Sequence, residues 1–199
     1  MTEAEPDQLR ESYSKLKGDA EENPVFFYDA LFRHAPGLRQ RIWWGSATND
    51  TAIWAAKLGM NLQSSTLKFD ESGKPFHIQQ AEQIRAYRQA WKEAGHAHEP
   101  RVSVSRSIFA LVNDMDRAYF GNGRPEQDQF GYIEPEKRAV FGRGYTAEPE
   151  ALIKLLAEDE AIAEADTLLL TVPNQLGVDY NAHVIESILT HVAPALGWR

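Results

Sequence analysis

The chain has 199 residues, 43% hydrophobic and 25% charged, with a formal net charge of −8 and no cysteine. That charge opposes a nucleic-acid partner, which needs concentrated positive charge, and the lack of cysteine excludes disulfides and thiolate metal sites. No apolar run approaches the ~20 residues that span a bilayer, and "MTEAEPDQLRE" has no basic region followed by an apolar one, so a soluble cytoplasmic protein without a membrane partner is expected.

Residues 1–36 read as an N-terminal extension. "DQLRESYSKLK" carries a thin apolar stripe, and "PVFFYDALF" (24–32) is apolar enough to need burial or pairing, as strand or helix. From residue 41 the pattern becomes regular. "RIWWGS" reads as a short strand and "NDTAIWAAKLG" as a helix, with Asn49 or Asp50 as N-cap and Gly59 just past its end. "MNLQSSTL" (60–67) is the next strand, and "KFDESGKP" a loop. The segment 77–95 is a helix with Ile78, Ala81, Ile84, Tyr87 and Trp91 on one face, stopped by Gly95. "RVSVSRSIFALV" (101–112) is a β-branched strand, and 113–147 is irregular. "EPEALIKLLAEDEAIAEA" reads as one helix, with Pro149 in its first turn. "DTLLLTVP" (166–173) is a strand of the kind buried on both faces, and "NAHVIESILTHVAPALG" a last helix.

Strand and helix therefore alternate four times, which predicts a parallel sheet with crossover helices. Doubly wound sheets and (β/α)8 barrels both satisfy this order. A full barrel takes about 250 residues, and four units are half of one.

In parallel α/β folds, ligands bind at the carboxyl ends of the strands. Gly45, Ser46, Ala47 and Thr48 lie there, with Thr51 close behind; Gln63 to Ser65, Ser105 to Ser107 and Pro173 to Gln175 follow the other strands. A small-residue turn running into a helix suits a phosphate, because N–H groups at a helix start are unpaired and the dipole there is positive. The same residues also suit simple capping. Arg106 inside a strand is read either as a phosphate or flavin contact or as an outward arginine paired with a surface carboxylate. Asn174 and Gln175 suit either a heterocycle or ordinary loop chemistry. The histidines read as structural: His96 and His98 flank a helix end, and His183 and His191 stand two turns apart, so no metal is expected. Trp43, Trp44 and Trp54 read as core.

"GLRQRIWWGSATNDTAIWAAKLGMNLQSS" and "TAEPEALIKLLAEDEAIAEADTLLLTVPNQLG" resemble the second half of the luciferase-like flavin monooxygenases. The likeness covers residues 37–199. It implies a partial (β/α)8 TIM barrel, four parallel β/α units corresponding to the second half, with the family's first four strands missing. It also implies an FMN-dependent oxidoreductase that takes reduced FMN as co-substrate, or in some members a deazaflavin. An unknown small organic substrate, a flavin reductase as partner, and a homodimer complete the implied picture. The turn after the first strand would contact the flavin phosphate through Gly45, Ser46, Ala47, Thr48 and Thr51, while Arg106 and Asn174 fall on the open face of the barrel. No catalytic residue is assigned. A truncated, non-catalytic remnant that binds flavin or assembles with itself is the alternative.

Overall fold

In a computed structural model of the chain, residues 37–69, 72–122, 128–134 and 137–198 are described. The segments 7–17 and 24–32 lie outside them. The chain divides into two compact units, Met1–Ile42 and Trp43–Arg199. The described part of the first ends in a 3-10 turn at Arg39–Arg41. The second begins β1 (Trp43–Ser46), α1 (Asn49–Leu58), β2 (Asn61–Ser64), β3 (Leu67–Phe69), α2 (Phe76–Ala94), β4 (Val102–Arg106) and β5 (Ile108–Ala110). It continues through α3 (Asp114–Phe120), β6 (Gln129–Glu134), β7 (Lys137–Phe141), β8 (Tyr145–Ala147), α4 (Pro149–Ala157), α5 (Glu160–Glu164), β9 (Thr167–Leu170) and α6 (Gly177–His191).

The fold is α/β. Four strands pair in parallel in the order β1-β2-β4-β9, each beside the next one along the chain, as the alternation of strand and helix predicts. A doubly wound sheet reverses its strand order at a switch point; this sheet does not. Parallel neighbours need crossovers, and α1, α2 and the α4–α5 pair supply them.

Local chemistry explains most boundaries. The Thr48 side chain, rather than Asn49 or Asp50, caps α1 by accepting the Thr51 N–H, and Gly59 closes the helix in the left-handed region at φ 75°. Gly95 ends α2 in the same way at φ 69°. These are conformations that glycine adopts without strain.

Three sequence expectations need correction. The loop expected after residue 67 begins with β3, which pairs antiparallel with β7, itself paired with β6. The region 113–147, read as irregular, holds α3 and the strands β6, β7 and β8, the last parallel to β5. The helix read through 148–165 breaks at Glu158 and restarts, because the buried carboxylate of Asp159 caps α5 by accepting the Ile162 N–H at 3.0 Å.

Asp159 is fixed there from outside the helix. Arg106 Nε and Nη2 donate to its two oxygens at 2.8 and 3.1 Å, and the Tyr145 hydroxyl donates at 2.6 Å. The two charged side chains are 2% and 0% exposed. Above this knot, Ala52, Leu62, Ile84, Tyr87, Trp91, Val102 and Val104 form one apolar cluster. Ile108, Leu152, Leu156, Val184 and Ile188 form a second, between β5, α4 and α6.

Burial pushes the Asp159 carboxyl up, but the hydrogen bonds and charge of Arg106, with Tyr145 and the Ile162 N–H, outweigh it and hold it below the usual carboxylate range. Asp159→Asn is expected to cost about 3–5 kcal/mol at neutral pH, since it leaves the guanidinium buried without its counter-charge. The folded carboxyl titrates below the unfolded one, so the pair's contribution is whole above about pH 4 and is lost as pH falls through the folded value. Urea unfolding followed by circular dichroism should show the gap between wild type and variant narrowing towards about pH 3; a gap independent of pH would contradict this account.

Candidate functional site

Parallel pairing in register brings the carboxyl ends of the four strands to one edge of the sheet. The turn after β1 occupies that edge. Ser46 is buried, and its Oγ donates to the Thr48 carbonyl at 2.8 Å and meets Thr51 Oγ1 at 2.5 Å. Thr48 and Thr51 share a hydrogen at 2.9 Å. The three hydroxyls thus hold one another and fix the path of the turn into α1.

A layer of glutamines from α2 supports this turn. Gln83 Nε2 donates to the Thr48 carbonyl at 2.8 Å, and its Oε1 accepts from Ser64 Oγ at 2.7 Å. Gln80 Nε2 donates to the Ser65 carbonyl at 2.8 Å, and its Oε1 accepts from Arg106 Nη2 at 2.8 Å. Both glutamines are fully buried. The signal for them stood in the sequence: Gln80 lies on the same helical stripe as Ile84, Tyr87 and Trp91, where an apolar residue is expected.

Beside the turn opens a cavity of about 80 Å³, lined by Ala47, Thr48, Asn49, Lys68, Gln79 and Glu82 among others. That is several times the ~10–15 Å³ that one water needs, room for a phosphate-sized group. Lys68 is buried and enters from β3, with its ammonium donating to Asn49 Oδ1 at 3.1 Å, in the first turn of α1. Glu82 is bound by Lys74 at 2.5 Å. Lys68 carries no mark in the sequence, because "KFDESGKP" reads as loop and its first residues belong to β3.

Side chains alternate across the sheet. One face carries Trp44, Leu62, Val102, Val104 and Leu168 against the helices, and Trp44 packs on Trp54 at 4.8 Å between ring centres. The other carries Trp43, Gly45, Gln63, Ser103, Ser105, Thr167 and Leu169, mostly polar, and neither apolar cluster draws on it. Ser103 donates to Gln63, Ser107 shares a hydrogen with Thr171 at 3.0 Å, and Arg101 lies 5.0 Å over the Trp43 ring. Trp43 therefore belongs to this polar face and not to the core.

The structure thus brings Gly45, Ser46, Ala47, Thr48 and Thr51 together at one strand end. Arg106 points to the helix side instead: its Nε, Nη1 and Nη2 are engaged by Asp159, the Ser105 carbonyl and Gln80. It is neither outward-facing nor paired with a surface carboxylate. Asn174 opens a 3-10 turn, Asn174–Leu176, beyond β9. His183 Nε2 sits 2.9 Å from the buried Asp116, which also accepts from Tyr180 and the Val112 and Asn113 N–H groups, tying α3 to α6. His96 bonds the Ala56 carbonyl at 2.8 Å. Among the described residues, no three His, Cys, Asp or Glu side chains gather closely enough to hold a metal ion.

No protein-family model matches the chain, and no curated protein matches it.

Removing the glutamine support should register as lost stability. Gln83→Leu keeps the bulk but strips partners from the Ser64 hydroxyl and the Thr48 carbonyl, at an expected cost of about 1–3 kcal/mol. Thr48→Ala, which removes the cap and the exposed contact with the Thr51 hydroxyl, should cost about 1 kcal/mol. Urea titrations read by tryptophan fluorescence would rank the two; equal midpoints for wild type and Gln83→Leu would show that the layer carries no load.

Proposed function

We propose that this chain is the second half of a luciferase-like (β/α)8 barrel, that it binds FMN with the phosphate at the Gly45–Thr48 turn, and that it serves the oxygen-dependent oxidation of a small organic molecule. The observation that carries the reading is the convergence of three things at the carboxyl end of β1: a small-residue turn, the start of α1 and the ammonium of Lys68 in a phosphate-sized cavity. Helix-start N–H groups and a lysine are the usual partners of a phosphate.

The residues present fit that group. Ala47 and Thr48 line the cavity, and Gly45 leaves open space where a side chain would stand. The hydroxyls of Ser46 and Thr51 shape the turn from behind. Arg106 positions the site through Gln80, which holds the Ser65 carbonyl next to the turn, rather than touching the ligand. Gln63, Ser105 and the Asn174 turn stand where a heterocycle or substrate would be oriented by hydrogen bonds. Reduced FMN would bring the electrons for oxygen chemistry, whereas a deazaflavin in its place would serve hydride transfer without oxygen, and the protein's share is binding, orientation and exclusion of water. A flavin reductase would supply the reduced cofactor, in the cytoplasm, to a homodimer. Among the described residues, no helix is long and apolar enough to cross a membrane.

The mutual bonding of Ser46, Thr48 and Thr51 favours a second reading, a non-catalytic remnant in which the turn only caps its helix. A fluorescence titration separates the two. Under the flavin reading FMN binds saturably and riboflavin, which lacks the phosphate, binds far more weakly. Lys68→Met should weaken FMN by about 10- to 100-fold, the worth of one charge-assisted hydrogen bond. Absence of saturable FMN binding would leave the capping reading alone.

A further inference from the structure

We infer that the hollow between α3 and α6 binds a small neutral phenol, and that His183 is the proton acceptor for its hydroxyl. The inference does not rest on the flavin reading. α3 follows the carboxyl end of β5, and α6 follows that of β9. Segments that leave the carboxyl ends of parallel strands are where such folds bind ligands. The hollow measures about 480 Å³ and is lined by Asn113, Met115, Leu176, Asp179, Tyr180 and His183. That is the size of a small-molecule site.

Asp116 sets His183 up as a base. The Asp116 side chain is 3% exposed. It accepts from the Tyr180 hydroxyl at 2.5 Å and from the Val112 and Asn113 N–H groups at 3.1 Å. Burial pushes its carboxyl up, but hydrogen bonds from Tyr180, His183 and the Val112 N–H hold it below the usual carboxylate range, so it is ionised at neutral pH. An ionised carboxylate only accepts. His183 Nε2, 2.9 Å from Asp116 Oδ1, therefore carries a hydrogen. Asn113 Nδ2, itself a donor, stands 3.1 Å from the same nitrogen, because the amide oxygen is turned the other way to accept the Asp116 N–H. A neutral imidazole with its hydrogen on Nε2 keeps its lone pair on Nδ1. Among the described residues Nδ1 has no hydrogen-bond partner, and the side chain is 32% exposed. One ring nitrogen on a buried carboxylate and the other free is how an enzyme orients a general base. Joining the helices does not require it, since Tyr180 already ties α6 to Asp116.

The class of ligand follows from the walls. Met115, Leu176 and the Tyr180 ring are apolar, and Tyr119 packs edge-on against Tyr180 at 5.2 Å. Met115 and Tyr119, one turn apart on α3, are 56% and 55% exposed. Methionine sulfur and tyrosine rings both pack well on an aromatic ring. Asp179 brings a carboxylate to the lining and disfavours an anion, so the ligand enters neutral. Nδ1 needs a donor. A phenol titrates about 3.5 pH units above imidazole and water about 9 above it, so the phenol hydroxyl is the one within reach of this base. On transfer the O–H bond breaks and Nδ1–H forms. The phenolate is left beside an imidazolium whose Nε2–H still faces Asp116.

para-Nitrophenol tests this, because its anion is yellow and its neutral form is not. Buffered below its own titration point, the free probe is mostly colourless. Titrated with the protein, it should turn yellow saturably. His183→Gln keeps an acceptor but no base, so the yellow should be lost. Met115→Glu, at an exposed position, should weaken binding by about tenfold or more through a lost apolar wall and an added like charge. It decides the matter should His183→Gln fail to fold. A histidine that only joins two helices predicts no colour in any variant. Absence of the saturable yellow signal, a signal that survives His183→Gln, or binding that Met115→Glu leaves unchanged overturns the inference. Each readout is taken without flavin, so its failure leaves the FMN titration standing on its own.

Discussion

The buried pair of Arg106 and Asp159 is the constraint on which the rest of the second unit depends. Arg106 ends β4, Asp159 opens α5, Tyr145 starts β8, and Gln80 lies on α2, so one guanidinium fixes where four elements meet. A buried charge pair is poor evidence of net stability, because desolvation offsets much of its attraction. Its value here is positional. Asp159 accepts four hydrogen bonds and each of the three Arg106 nitrogens donates at least one, all in defined directions, and a shifted register would leave a charge without its partner. The Tyr145 phenol shows the same field: burial and then the neighbouring carboxylate push it up to about 12, so it stays a donor.

From that knot the order passes outward to the edge formed by the carboxyl ends of the parallel strands. Gln80 takes one hydrogen from Arg106 and gives one to the Ser65 carbonyl; one helical turn later Gln83 does the same between Ser64 and Thr48. Two amides thus carry the position of a buried arginine to the turn after β1. Carbonyls at the ends of parallel strands have no sheet partner beyond the last pair. Buried there, they need donors, and the glutamines supply them. The turn is held by these glutamines and by its own hydroxyls, which also cap α1 at the Thr51 N–H.

What could be read from the sequence was what is decided locally. Gly59 and Gly95 end their helices by backbone conformation alone, and Ile84, Tyr87 and Trp91 mark a face by spacing. The four parallel strands were readable because their apolar runs are bounded by those helices. What was not readable depends on distant partners. The break at Glu158 comes from an arginine 53 residues away, and β3 exists because β7 pairs with it some 70 residues on. Arg106 shows the limit best. Both sequence readings gave it an external partner, since the acid it binds looks like one more surface residue in "LAEDEAIAEA". The polar face was hidden for another reason: alternating serines in "VSVSRS" tell that one face is polar, but not whether that face meets water, a ligand or another chain.

Under the FMN proposal a chain with a net charge of −8 would have to hold an anion, and distance decides which charges matter. At physiological ionic strength exposed charges are screened beyond about 8 Å, so most of the surface carboxylates have little weight at the turn after β1. What counts is within a few ångströms: the positive end of α1, the Lys68 ammonium at its first residue, and Glu82, already matched by Lys74. Asp50, exposed in the same first turn, works against an anion, but in a solvated position its effect is worth only tenths of a kcal/mol. A buried lysine works in a lower dielectric than an exposed carboxylate. Under that proposal the ammonium beside the anion is that of Lys68, a residue delivered by the antiparallel β3–β7 pairing and not by the parallel sheet itself.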